Sequence, residues 1–226
     1  MKLLKFDSYE EYQQIQREAY QRKLKKIWVT DKELRFIARF IQQHLPPVSF
    51  GLCHGVRNGY EVQKLRALLG VEVIGTDLGE TAHQFPHVIQ WDFHEIKEEW
   101  KGAVDFIYSN AWDHSYDPAL MLRRWMSCLR PHGCCFLQWT RDHDVHAVRE
   151  ADCFGLAFDE MLDRISQDYE IEQVQEIPCW PMWGGSRRRA RPDLGLDAQP
   201  ANSHFRRLSV RACTSQLLNS VECGLA

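Results

Sequence analysis

The 226-residue chain lacks a long apolar run and lacks an excess of either charge. No stretch approaches the ~18 consecutive apolar residues of a membrane-spanning helix, and the first residues lack the apolar centre of a signal peptide. The 28 basic side chains nearly balance the 31 acidic ones, and the formal net charge is −3. A charge this small gives no general attraction to nucleic acid or to an anionic membrane. We therefore expect a cytoplasmic protein that acts without a membrane.

The cysteine spacing argues against another class of protein. The chain has eight cysteines but no Cys-x-x-Cys pair, which is the spacing typical of zinc sites and disulfide-exchange sites. We expect reduced, mostly buried thiols and no zinc. The apolar fraction of 44% and the charged fraction of 26% are those of an ordinary globular protein. The length favours one domain with extensions.

The stretch from residue 50 to residue 61 combines a strand end, a glycine-bearing turn and the start of a helix. An apolar segment, residues 48–52, leads into Cys-His-Gly-Val-Arg-Asn-Gly, and a helical pattern follows. Gly55 and Gly59 can adopt positive φ and let a ligand approach the backbone. The helix start offers unpaired N–H groups to such a ligand. A tight turn without a ligand explains the same pattern, so this stretch alone leaves both interpretations open.

The rest of the chain alternates apolar strands with helical patterns, which predicts an α/β fold with a mostly parallel sheet. Further strands are predicted at residues 71–77, 87–93, 103–110, 134–139, 169–177 and 206–213. Two helices, at residues 7–26 and 30–45, precede the first strand. The second strand ends in Asp77. In a doubly wound sheet this carboxylate stands beside the ligand crevice, where it can accept both hydroxyls of a ribose.

In this order of motifs, residues 48 to about 178 resemble a class I S-adenosylmethionine-dependent methyltransferase. The resemblance implies a doubly wound, mostly parallel seven-stranded sheet, the Rossmann-like methyltransferase fold, with an N-terminal helical extension at residues 1–47. The methyltransferase domain would span residues 48–226. Its last strand, residues 206–213, would be antiparallel. Residues 178–203 would form a lid or a flexible loop before that strand.

The resemblance also implies S-adenosyl-L-methionine as the cofactor. The positions that match cofactor-binding positions of the family are Cys53, His54, Gly55, Arg57, Gly59, Asp77, Leu78, Asp92, Phe93, Ser109 and Asn110. Cys53 stands where the family has an acid that helps to hold the methionine ammonium, and Arg57 stands at the middle glycine. Arg57 could meet the methionine carboxylate, but an ion pair with Glu61 is favoured because it requires no ligand. Asp92 could either contact the adenine or cap a helix that starts near His94.

Two loops, residues 111–117 and 140–146, lie at the ligand-bearing edge of the predicted sheet and contain the candidate catalytic residues. Methyl transfer to an oxygen of high pKa needs a base near the methyl group. His114 is the first candidate, because an unperturbed imidazole has a pKa of about 6.5. Asp113 could orient His114 or act alone, His143 could serve instead, and a purely structural role for His114 stays open. We expect no metal, although a magnesium-dependent variant could use Asp113, Asp142, Asp144 and His143.

The predicted function is transfer of a methyl group to a small-molecule or glycan-like acceptor, with oxygen as the expected atom. Tryptophans 91, 112, 139, 180 and 183 would suit the walls of an aromatic or sugar-stacking pocket, although Trp91 and Trp139 would equally suit the core. Trp28 is expected in the core. A nicotinamide-dependent oxidoreductase is one alternative, although the turn is not Gly-x-Gly-x-x-Gly. A nucleic-acid-binding or RNA-directed methyltransferase-like module, using the basic run 187–191, is another. The oligomeric state stays open, with a homodimer as one option.

Overall fold

The structure is a computed structural model that describes residues 1–178 and 206–213. The α-helices are α1 (Tyr9–Lys23), α2 (Asp31–His44), α3 (Tyr60–Leu69), α4 (Pro118–Cys128) and α5 (Phe158–Ser166). The strands are β1 (Lys2–Leu3), β2 (Phe50–His54), β3 (Glu72–Asp77), β4 (Val88–Gln90), β5 (Val104–Ser109), β6 (Leu129–Trp139), β7 (Phe154–Gly155), β8 (Glu170–Pro178) and β9 (Arg206–Cys213). The segment predicted as a lid, residues 178–203, lies outside the described residues except for its first, Pro178.

The main sheet has seven strands in the order β4-β3-β2-β5-β6-β9-β8. The first five pair in parallel, and β9 pairs antiparallel with both β6 and β8. One apolar cluster on the sheet includes residues of α4 and α5, and a second includes residues of α2 and α3. Side chains alternate between the clusters along a strand: Ile107 belongs to the first, and Phe106 and Tyr108 belong to the second. The predicted doubly wound α/β fold is confirmed.

Two local predictions are wrong. Strand β6 begins at Leu129 rather than at Cys134, because Val104 pairs with Leu129 and Phe106 then pairs with Cys134. Residues 130–133, which lie between these two paired positions, therefore bulge out within the strand. No helix starts near His94; the residues there form a turn in which the Asp92 carboxylate accepts from the His94 amide at 2.8 Å.

The two predicted N-terminal helices are present, and their boundaries follow from their caps. Ser8 caps α1, and Thr30 with Glu33 forms the predicted capping box of α2. Such a box satisfies two backbone donors that a helix start would otherwise leave unpaired. Helix α2 packs its apolar face into the core through residues such as Leu34 and Ile41. Helix α1 has buried aromatic residues, Tyr12 and Tyr20, and covers the carboxyl-terminal edge of the sheet.

A short second sheet, which was not predicted, fastens the chain start to a distant loop. Strand β1 pairs antiparallel with β7, and the Leu4 amide donates to the Cys153 carbonyl at 2.8 Å. Cysteines 53, 128, 134, 135 and 153 are buried. In the described part of the chain no helix is long and apolar enough to cross a membrane.

Candidate functional site

A cavity lies at the carboxyl-terminal edge of the parallel strands, where ligands bind in open α/β sheets. This main cavity, of about 270 Å³, is bordered by the turn after β2 and by the loops after β5 and β6. A small cavity of about 50 Å³ adjoins it, between α1 and the ends of β2 and β3. Both cavities are lined by Lys23, Gly55, Arg57, Ala111 and His114. The two cavities therefore form one cleft, which α1 covers at the narrow end.

The turn after β2 has the backbone conformation of a glycine-rich loop, even at Arg57, which is not a glycine. Gly55 and Gly59 have φ values of +72° and +71°. Arg57, at the position of the middle glycine, also has a positive φ of +50°, a conformation that a non-glycine residue adopts at an energetic cost. A Cβ added to Gly55 would lie 2.5 Å from the Ala111 Cβ, and one added to Gly59 would lie 2.6 Å from Val88 Cγ2. Both glycines are thus required by the fold itself.

Asp77 lies at the end of β3 and lines the small cavity together with Leu78 and Phe93. Its carboxylate accepts from the Arg57 amide at 2.7 Å and from the Gly79 amide at 3.0 Å. Burial raises the pKa of Asp77, and these two hydrogen bonds oppose the shift. A carboxylate has about four acceptor positions, so about two remain for hydroxyl groups of a ligand.

Glu61, in the first turn of α3, lines the main cavity and is only 6% exposed. The predicted ion pair with Arg57 is not formed. Arg57 instead donates to the Lys26 carbonyl at 3.1 Å, and Glu61 Oε2 has no hydrogen-bond partner among the described residues. Burial raises the pKa of Glu61 to about 7. A buried carboxyl oxygen without a partner is costly, unless a ligand supplies the missing donor.

Four of the predicted cofactor residues have their side chains turned into the protein. Cys53 is fully buried, and burial raises the pKa of its thiol. His54 stacks on Trp125 and shares a 2.8 Å hydrogen bond with Thr76. Ser109 donates to the His54 carbonyl at 3.0 Å. Asp92 accepts from the Tyr9 hydroxyl and from His94 Nδ1.

Asp113 belongs to the short helical turn after β5 and lines the main cavity. It is 5% exposed, and its Oδ1 has no hydrogen-bond partner among the described residues. Burial raises the pKa of Asp113 to about 7, assisted by the nearby Asp152 carboxylate and opposed by His114. A carboxylate with a pKa close to neutrality is suited to accept a proton.

His114 lines both cavities, but its two ring nitrogens face protein groups. Nδ1 lies 2.8 Å from Gln16 Oε1, and the amide of Gln16 is oriented because its nitrogen donates to the Ala151 carbonyl. Nε2 lies 3.2 Å from Asp152 Oδ1. Burial lowers the pKa of His114, whereas Asp113 and Asp152 oppose that shift. This arrangement favours a role for His114 in joining α1 to the 150–155 loop.

His143 has both ring nitrogens occupied by backbone groups. Nδ1 accepts from the Thr140 amide at 2.9 Å, so the proton is on Nε2, which donates to the Asn110 carbonyl at 3.0 Å. The ring also stacks on Trp112, with centroids 5.0 Å apart. A neutral imidazole in this tautomer has no lone pair left to take a proton. The structure therefore gives His143 a positioning role.

The predicted set of metal ligands is not brought together. Among residues 1–178 and 206–213, the group close enough to share a cation is Asp113, His114 and Asp152, with ligand atoms within 4.8 Å of one another. Asp152 already accepts from Lys23 at 3.3 Å and from Arg149 at 3.0 Å. Two cations therefore already balance that carboxylate.

Solved structures of known function share this architecture. An N1-methyltransferase of 1,6-didemethyltoxoflavin from Burkholderia thailandensis, solved with that compound and S-adenosylhomocysteine, is 14% identical with a TM-score of 0.64, and 93% of this chain matches 92% of that chain. A geranyl diphosphate C-methyltransferase from Streptomyces coelicolor, solved with Mg²⁺, geranyl diphosphate and S-adenosyl-L-homocysteine, is 12% identical with a TM-score of 0.58, covering 89% of this chain and 97% of that chain. The chain has the class I methyltransferase fold.

The methyltransferase fold alone does not determine the reaction. The cyclase SpnF also matches, with 11% identity and a TM-score of 0.50 over 64% of this chain and 60% of that chain. No protein-family model and no curated protein matches the chain. The side chains of the cleft therefore decide which reaction the fold supports.

Several residues of the cleft were not predicted from the sequence as site residues. The cleft also contains Gln16, Lys23, Trp28 and Asp152, three of which lie in or just after α1. Trp28, which was expected in the core, is 40% exposed and lines the main cavity. By contrast, the predicted pocket walls Trp112 and Trp139 are 2% and 8% exposed and do not line it. Trp91 does not line it either, and Trp180 and Trp183 lie outside the described residues.

Proposed function

We propose that the protein is an S-adenosylmethionine-dependent methyltransferase that acts on a small molecule. The observation that carries the proposal is the cleft itself, in which Asp77, Glu61 and Asp113 line adjoining cavities along the edge of a methyltransferase sheet. Two of these carboxyl groups each have an oxygen without a partner among the described residues. Such oxygens are satisfied when a ligand donates hydrogen bonds to them.

The cleft fits the cofactor at two points. Asp77, with acceptor positions to spare, would take the ribose hydroxyls, and Leu78 and Phe93 would border the nucleoside in the small cavity. Glu61 would take the methionine ammonium, because it lines the main cavity and its Oε2 has no hydrogen-bond partner among the described residues. The resemblance to the methyltransferase family gives the position of Cys53 the role of holding the methionine ammonium. We infer that Glu61, in the first turn of α3, performs that role in this protein. When bound, the cofactor supplies a methyl group activated by a sulfonium.

Asp113 is the group best placed to take a proton from the acceptor. Its Oδ1 accepts no hydrogen bond in the described chain and lies 3.6 Å from His143 Nε2, whereas His114 and His143 have both ring nitrogens engaged. The Asp113 carboxylate would orient the acceptor and remove its proton as the methyl group is transferred. Oxygen remains the acceptor atom that we propose first, because a hydroxyl of high pKa needs such a base.

The two alternatives have less support. A nicotinamide cofactor would need a pyrophosphate cradle, and the turn after β2 lacks the Gly-x-Gly-x-x-Gly spacing and contains Arg57. The nucleic-acid-binding alternative depends on the basic run 187–191, which lies outside the described residues. The main cavity is lined by four cations, Lys23, Lys26, Arg57 and Arg149, and by four carboxyl groups, Glu61, Asp113, Asp142 and Asp152. A balanced lining of this kind fits a compact small molecule better than a polyphosphate chain.

Calorimetric titration tests the proposal. Wild-type protein should bind S-adenosylhomocysteine, and NADH should produce no heat of binding. Glu61→Gln should weaken S-adenosylhomocysteine binding by about 10- to 100-fold, because it removes a buried charge from the ammonium. Cys53→Ser, at the position where the family has an acid, should change the affinity much less. Tight NADH binding, or equal affinities in Glu61→Gln and wild type, would contradict the proposal.

A further inference from the structure

Among the tryptophans that the structure describes, Trp28 is the one that lines the cleft, in the segment between α1 and α2. It is 40% exposed and lines the main cavity together with Lys26 and Asp113. Among the described tryptophans, Trp100, Trp112, Trp125 and Trp139 are at most 8% exposed. A large aromatic side chain at the border of a cavity offers a flat apolar surface to a ligand.

The segment that carries Trp28 is held in place on both sides. Before it, the Leu24 carbonyl accepts from Asn58 at 3.0 Å and the Lys26 carbonyl accepts from Arg57 at 3.1 Å. After it, Val29 is 1% exposed, and Thr30 begins the capping box of α2. Because Asn58 and Arg57 belong to the turn after β2, the Trp28 segment is fastened to the same turn that lines the cofactor cleft. A fixed aromatic surface loses little entropy when a ligand packs against it.

Charge adds a second feature to the same wall. The Lys26 ammonium lies 5.6 Å from the centroid of the Trp28 ring, within the range of a cation–π contact. Asp113 contributes a buried carboxyl oxygen to the same cavity. A ligand that fills this space meets an aromatic wall with a cation beside it and, elsewhere in the cavity, an acceptor of hydrogen bonds.

We propose that Trp28 selects a planar aromatic acceptor, whose ring packs against the indole and whose ring O–H or N–H group faces Asp113. The inference rests on the proposed function and adds the substrate class. In the reaction, Asp113 takes the proton of the O–H or N–H group while that atom forms a bond to the methyl carbon. The bond between the methyl carbon and the sulfonium sulfur breaks, and its electron pair stays on sulfur as the neutral thioether.

A binding experiment without turnover tests the aromatic preference. Ligand-observed NMR, with S-adenosylhomocysteine present, would compare hydroxylated and N–H-bearing aromatic rings with their saturated analogues, such as phenol with cyclohexanol. Wild-type protein should bind the aromatic member of a pair at least several-fold more tightly. Trp28→Leu should weaken aromatic binding by about 10- to 100-fold through the loss of ring contact and buried area. Trp28→Phe should restore much of that loss.

Trp91→Leu is the matched control. Trp91 also has a lysine over its ring, with Lys97 Nζ at 5.1 Å from the centroid, but it does not line the main cavity. This variant should bind the aromatic probes as wild type does. It should also bind S-adenosylhomocysteine with unchanged affinity in calorimetry.

The outcomes separate this inference from the proposed function. Equal binding of aromatic and saturated probes by wild type, or an unchanged preference in Trp28→Leu, would overturn the role of Trp28. Absence of binding by every aromatic probe would overturn it as well. If wild type does not bind S-adenosylhomocysteine yet prefers aromatic probes through Trp28, the aromatic site stands and the methyltransferase assignment falls.

Discussion

Asp113 shows most clearly how burial sets the chemistry of a single residue in this cleft. Its raised pKa means that the folded protein binds a proton that the unfolded chain releases at lower pH. The stability of the fold should therefore decrease as the pH rises from about 4, the unfolded value, to about 7, the folded value. Above that range the folded state holds a buried charge with one oxygen unpartnered in the described structure.

Asp113→Asn should remove this pH-dependent cost, because the amide stays neutral. The stabilisation of the variant relative to wild type should be greater at pH 8 than at pH 5, by on the order of a few kcal/mol. Urea unfolding monitored by fluorescence at both pH values measures the difference. Asp163→Asn, an exposed substitution in α5, should show no comparable gain. A stability difference that does not change with pH would mean that Asp113 is charged at pH 5 as well.

Asp77 gives a second prediction at the same scale. Asp77→Asn should weaken S-adenosylhomocysteine binding by about 10- to 100-fold, through the loss of charge-assisted hydrogen bonds. It should also destabilise the protein, because the carboxylate accepts from both the Arg57 and the Gly79 amides. Calorimetry and thermal unfolding on the same sample would separate the two effects. Glu72→Gln, an exposed position in the same strand, is the control and should change neither.

Some of these residues could be predicted from the sequence and others could not. Asp77 and Asp113 follow predicted strands, and strand ends of a parallel sheet meet at one edge. Glu61 was visible only as a partner for Arg57, because no local pattern shows that a helix residue will be buried without a partner. Trp28 was expected in the core because hydrophobicity predicts burial on average but does not say which aromatic residue remains exposed.

At the scale of the elements, the short turn after β6 holds His143 by hydrogen bonds to both of its ring nitrogens. Thr140 and His143 cap this turn reciprocally, as in a capping box. His143→Ala should therefore lower the free energy of unfolding by about 1–2 kcal/mol and leave the pH dependence of methyl transfer unchanged. His146→Ala, whose side chain is 94% exposed in the wild type, is the control for stability. A shifted pH profile in His143→Ala would return the catalytic role to this residue.

The elements of the fold were predictable to very different degrees. The capping box of α2 and the Asp117 cap of α4 could be recognised, because each cap places specific residue types at fixed spacing. The start of β6 was misplaced because Arg130–Gly133 resembles a turn, and the structure accommodates it as a bulge instead. Strand β1 has two residues, too few for any alternation of side chains to be detected.

On the scale of the whole molecule, the doubly wound, mostly parallel sheet was the easiest property to predict. Apolar segments of strand length alternate with helical patterns, and the glycine-bearing turn marks the strand that leads to the ligand crevice. How α1 lies on the sheet was not predictable, because its contacts join residues far apart in the chain. Gln16 contacts His114 and Ala151, and Lys23 contacts Asp152. Long-range contacts of this kind leave no periodic signal.

The placement of α1 has a consequence for the rates of the reaction. Four of its residues, Tyr12, Gln16, Ala19 and Tyr20, border the small cavity of about 50 Å³, in which we propose that the nucleoside binds. The helix is fastened at one end through β1 and β7 and at the other through Leu24 and Lys26. If the proposed placement holds, we expect the nucleoside to enter and leave when one of these fastenings opens, and opening motions commonly limit turnover. We expect kcat to decrease as glycerol or sucrose raises the solvent viscosity, and loosening the β1–β7 pairing should make turnover faster while S-adenosylhomocysteine dissociates sooner.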